Sequence, residues 1–142
     1  MKRILSVSFV LAVVMTTTST VYAQCSNATL NAKYGFIDSG FTASPSRDRA
    51  APEVPIAVVG VLAFDGAGNA SQSFTLVING GIALPGSNTG TYSINSDCTG
   101  SISFSVGDAP VNFNIVIIGG GTEVFGIVTV GGNTQTFDAK KQ

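Results

Sequence analysis

Histidine and tryptophan are absent from the 142 residues, cysteine occurs twice, and only 11% of the chain is charged. Without His there is no Ser-His-Asp or Cys-His catalysis and no His-ligated zinc. Two Cys cannot complete a four-ligand zinc site either, so neither a metal nor a cofactor is expected. The scarcity of charge excludes a charged disordered tail and a charge-laced coiled coil. A formal charge of −1 with no basic run leaves no footprint for nucleic acid. What is plentiful is glycine, 17 residues, and hydrophobic side chains, 44% of the chain, over a length suited to one domain.

The first 23 residues read as an export signal. Lys2 and Arg3 precede an apolar run from Ile4 to Met15, and Val21-Tyr22-Ala23 offers small or aliphatic residues where signal peptidase reads them. Cleavage is expected after Ala23, and residues 24–142 then form a single domain. The apolar run stops short of the ~20 residues a membrane anchor needs, so no membrane span is expected in the mature protein. Gln24 stands where a lipobox requires a small residue, which removes a lipid anchor on Cys25. The mature chain carries five Lys and Arg against eight Asp and Glu, a net of −3. These features predict a secreted, extracellular or periplasmic protein. In that oxidising setting Cys25 and Cys98 are expected to form a disulfide.

Beyond the signal no helical period is sustained. Short apolar and polar alternations are broken by Gly, Asn and Asp, the pattern of strands and hairpins. Eight strands are predicted, over 34–41, 56–64, 69–78, 89–94, 99–106, 111–118, 123–130 and 134–140. Short links force antiparallel neighbours, and eight such strands suffice to close an up-and-down β-barrel without exposed edges. A β-sandwich is the alternative, with the 42–54 loop as its long crossover. Strand one running up places Cys25 and Cys98 at the same end. The segment from Ser26 to Lys33, with Leu30 inward, is then long enough to cross and plug the lower mouth.

Alternation assigns faces. Ile102, Phe104 and Val106 point inward against Ser101, Ser103 and Ser105, and Val111, Phe113 and Ile115 follow the same rule. Residues Val116, Ile117 and Ile118, and then Val124, Phe125, Ile127 and Val128, are apolar on both faces. An outer patch of Val116, Ile118, Val124 and Val128 is therefore expected to be covered by a second copy, making a homo-oligomer. Asp38 shares parity with Tyr34 and Phe36, and Glu123 with Phe125 and Ile127. If those aromatics face inward, both acids do as well, and a buried Glu123 would have a raised pKa suited to general acid or base work. The plainer reading leaves each acid solvated at a strand end. Arg47, Arg49 and Glu53 could pair with Asp38 across the upper mouth. Asp65-Gly-Ala-Gly-Asn69 lacks the Glu of a calcium loop, with Leu76 in its place, and reads as a hairpin turn.

The runs Leu30-Asn-Ala-Lys-Tyr34-Gly-Phe36, Val59-Gly-Val-Leu62-Ala-Phe64-Asp-Gly-Ala-Gly68-Asn69, Thr89-Gly-Thr-Tyr92 and Asp97-Cys98-Thr-Gly100 resemble a group of small secreted bacterial proteins. That group looks like the allene oxide cyclase and dirigent barrel superfamily. The resemblance implies an eight-stranded barrel, often trimeric, with a cavity that steers reactive small molecules without a cofactor. No motif carries the family's catalytic residues onto this chain. Two functions are thus expected in order: non-catalytic binding of a small apolar ligand or a structural role outside the cell, and, as the alternative, a cofactor-free cyclase or isomerase using Glu123 or Asp38 with Tyr92. Candidate ligand-contacting residues are Tyr34, Phe36, Asp38, Tyr92, Phe104, Phe113, Glu123 and Phe125.

Overall fold

A computed structural model describes residues 24–43, 52–107 and 109–142. The expected export signal, and Arg47 and Arg49 of the 42–54 loop, lie outside the described residues. Eight strands follow one another: β1 (Asn31–Thr42), β2 (Val54–Asp65), β3 (Asn69–Ile78), β4 (Leu84–Ile94), β5 (Thr99–Val106), β6 (Ala109–Ile118), β7 (Glu123–Val128) and β8 (Thr134–Lys141). Each pairs antiparallel with its neighbour in sequence, and β8 returns to β1 to close the barrel. Closure rules out the sandwich: no edge is left to form a second sheet.

β3 and β5 span the expected residues. β1 starts three residues early and β2 and β6 two early, while β1, β2 and β8 each end one residue late. β4 and β7 depart in more informative ways. β4 begins at Leu84 and not at Thr89, because Pro85 pairs opposite Thr75 and Gly86 opposite Phe74. Gly86 reads as a turn residue, yet its missing side chain is what β4 needs here. A Cβ on Gly86 would lie 2.5 Å from the Phe74 ring, so the ring occupies the space over the glycine. β7 ends at Val128, two residues early, although Thr129 still donates its N–H to Asn112 O on β6 at 2.8 Å.

Turn chemistry accounts for the hairpins. The Asp65 carboxylate accepts from the N–H groups of Ala67 and Asn69 at 2.8 and 2.9 Å and from Asn69 Nδ2 at 2.6 Å. These bonds, that of the Asn69 side chain first, hold its pKa down to about 2. The segment is a hairpin turn, as its residues imply. Asp97 does the same at the β4–β5 turn, accepting from the Thr99 amide and hydroxyl at 3.0 and 2.7 Å.

The N-terminal segment crosses the lower mouth. Cys25 is bonded to Cys98 with Cα atoms 5.0 Å apart, and a single 3-10 turn over Asn27–Thr29 leads to Leu30, which has no exposed surface. Asn27 Oδ1 accepts from the Ile94 N–H at 2.8 Å. The Tyr92 hydroxyl lies 2.8 Å from Leu30 O and 2.9 Å from Asn27 O, donating to one at a time. Tyr34 donates to Gly121 O at 2.6 Å. Phe64 packs edge-on between the two tyrosines, its ring 5.5 and 4.8 Å from theirs. The lower core is therefore a packed plug whose polar atoms are satisfied by backbone.

Tyr92→Phe keeps the packing and removes the donor to buried Leu30 O, while Asn27 O still accepts from the Leu30 N–H. It is expected to cost about 1.5 kcal/mol, read as a lower urea midpoint with an unchanged slope. An unchanged midpoint would mean that the crossing segment is held by the disulfide and Leu30 alone.

Candidate functional site

Burial sorts the eight candidate residues by barrel face. Tyr34, Phe36, Asp38, Tyr92, Phe104 and Phe113 are buried in the interior. Glu123 and Phe125 are not: they share the outer face with Ile127, while Val124 and Val128 point inward. The conditional placement of Glu123 inside the barrel is thereby corrected. The reason lies in β8, where Phe137 and Ala139 are buried and Asp138 and Lys140 face out. Glu123 pairs across the sheet with Lys140 and Phe125 with Asp138, and paired residues share a face. Lys140 Nζ sits 3.1 Å from Glu123 and 3.8 Å from Asp138. The hydrogen bond to Glu123, then the charges of both acids, raises the Lys140 pKa. Glu123 is an outer ion-pair partner.

In the upper core Phe113 packs edge-on against Phe104 and Phe137, with ring centres 6.4 and 5.4 Å apart. Beside them Asp38, Phe36, Leu62 and Gln72 close around a cavity of about 20 Å³. That volume admits one water-sized particle. Side chains fill most of the barrel interior, one of the two states open to eight strands. Burial pushes the Asp38 pKa up to about 6. Tyr34 and Tyr92 are raised as well, chiefly by burial. Sequence reasoning missed Gln72, although its parity with Ala70 and Phe74 was the available signal. Among the described residues no group of three or more His, Cys, Asp or Glu is placed to hold a metal.

The larger concavity is outside. A groove of about 590 Å³ runs over β6, β7, β8 and β1. Gly126 contributes bare backbone to its floor; the side chain it lacks would point inward, where a Cβ would collide with the Phe137 ring. Ile37, Val116, Phe125 and Ile127 form its walls, all of them more than a third exposed. Ile118 and Val59 extend the apolar surface beyond the groove. The outer patch expected at Val116, Ile118, Val124 and Val128 thus consists of Val116, Ile118, Phe125 and Ile127, with Ile37 and Val59. Asp138 reaches the groove and its Oδ1 is buried without a hydrogen-bond donor. Ser39, Asn114 and Thr136 supply polar groups on the same face.

Among the described residues no helix is long and apolar enough to cross a membrane. The Cys25–Cys98 disulfide is compatible with an extracellular or periplasmic location. No family model, curated protein or solved structure matches the chain.

Proposed function

We propose that this is an exported, non-catalytic interaction protein that assembles with copies of itself through the outer face of β6, β7, β8 and β1. The open apolar groove of about 590 Å³ carries this reading. Six exposed aliphatic and aromatic side chains on one face of a barrel are a surface that water disfavours. A closed barrel has no free edge to offer, so association must proceed by side-chain packing. The charges beside the groove, Glu123, Asp138 and Lys140, are paired with one another, and two such faces can approach without strong repulsion.

A second copy suits the face for a further reason. Asp138 Oδ1 lacks a donor, while Ser39, Asn114 and Thr136 on the same face carry donors. In a symmetric pair each face presents to the other what it lacks. The resemblance to allene oxide cyclase and dirigent barrels, often trimeric, agrees with self-association. An apolar ligand is the second reading, favoured by the groove's size, which falls within the ~300–1,000 Å³ usual for ligand pockets.

Light scattering of the exported protein at micromolar concentration is expected to give a mass above one protomer. Val116→Ser with Ile127→Ser should weaken association at least about tenfold, the effect of losing ~1.4 kcal/mol, with the circular dichroism unchanged. A wild-type monomer would overturn self-association. Saturable binding of an apolar fluorescent probe to that monomer, abolished by the same substitutions, would establish the ligand reading in its place.

A further inference from the structure

The interior holds a carboxyl group for which the described residues provide no partner. Asp38 is 8% exposed, and its Oδ1 is buried without a hydrogen bond. Its cross-strand neighbours are Val58 on β2 and Phe137 on β8. Gln72, which also lines the cavity, lies between Leu62 and Asn88. None of these residues titrates. The described lysines, Lys33, Lys140 and Lys141, are exposed. Of the other described acids, Glu53, Asp65 and Asp97 are exposed, and Glu123 and Asp138 are on the outer face.

We propose that the cavity between Asp38 and Gln72 is a binding site for a single ammonium ion. This site is independent of the outer face and of any self-association. A carboxylate taken out of water without a counter-charge is strongly disfavoured. Its natural occupant carries positive charge, donates hydrogen bonds and is no larger than a water molecule, since the space is about 20 Å³. Water meets the second and third conditions but not the first. Hard metal cations call for a shell of oxygen ligands, and the wall offers only the side-chain oxygens of Asp38 and Gln72. The rest is Leu62 and the rings of Phe36, Phe104, Phe113 and Phe137. Aromatic faces attract an ammonium group by cation–π interaction. Ammonium can donate to Asp38 Oδ1 and to the Gln72 carbonyl while its remaining N–H groups meet rings. Methylated amines carry the same charge but exceed the space.

Thermal melting of the intact protein in matched chloride salts of ammonium, potassium, sodium and methylammonium tests this site. At pH 7.5 ammonium alone is expected to raise Tm, saturably and by roughly 4 °C or more. The rise should vanish in Asp38→Asn, shrink in Gln72→Leu, and be absent at pH 4, where Asp38 is protonated. Equal shifts with potassium or sodium, a shift retained in Asp38→Asn, or no ammonium response would each overturn the proposal. Should Asp38→Asn fail to fold, ¹⁵N-labelled ammonium provides a readout on the wild type. A slowly exchanging bound signal supports the site, and its absence rejects it.

Discussion

Asp38→Asn is expected to stabilise the protein by about 3 kcal/mol at pH 7.5 in ammonium-free buffer and to leave it unchanged at pH 4. Burial raises the folded-state pKa of Asp38 from the ordinary aspartate value, ~3.9, to about 6. Below the unfolded value the carboxyl is protonated in both states and burial costs little. Between about pH 4 and 6 the unfolded chain has lost its proton and the folded chain has not. Stability therefore falls as pH rises through this window, and the loss is complete once the folded group ionises. The amide never ionises, so its variant follows a flat profile over the same range. Asp65, held down to about 2, works in the opposite sense. Its contribution is present above the unfolded value and is lost only as pH falls toward 2, outside the window of Asp38. Urea unfolding at pH 4 and 7.5 reads the effect directly, and parallel wild-type and variant profiles would refute it.

The disulfide carries the other large effect. Cys25 and Cys98 are 73 residues apart, and the chain-entropy account of closing such a loop gives about 4 kcal/mol. Replacing both with Ala should lower the unfolding free energy by that amount, and adding reductant to the wild type should reproduce it. The strand content is expected to survive, because Leu30 and the tyrosine hydroxyls still hold the crossing segment from within. A loss below about 1 kcal/mol would mean that the unfolded chain already keeps residues 25 and 98 close.

The barrel was legible in the alternation of Ser101 to Val106 and in turns such as Asp65-Gly66-Ala67-Gly68. There, side-chain polarity and backbone permissiveness point to the same local structure. The inward plug at Leu30 followed from chain direction and reach. The β7 face was not legible alone, because Val124-Phe125-Gly126-Ile127-Val128 is apolar on both sides. Only pairing with β8, where Asp138 and Lys140 must face out, settles which side holds Phe125 and Glu123. Gly126 and Gly86 were obscured for a related reason. A glycine reads as a break in a sequence, whereas here each leaves room for a ring on an adjacent strand. The partnerless state of Asp38 depends on residues brought from β3, β5, β6 and β8, which no local pattern near position 38 encodes.

Seven of the eight strand pairings join neighbours in sequence, and the eighth joins the two ends of the chain. Folding can therefore proceed as a succession of hairpins, each requiring little loop-closure entropy, until one long-range step remains. β1 is synthesised first and waits for β8, which is made last. Throughout that interval the growing sheet has two open edges able to pair with a neighbouring chain. A product cut short before Thr134 keeps both edges permanently, so the last eight-residue strand decides whether the chain becomes a closed ring or a seed for aggregation.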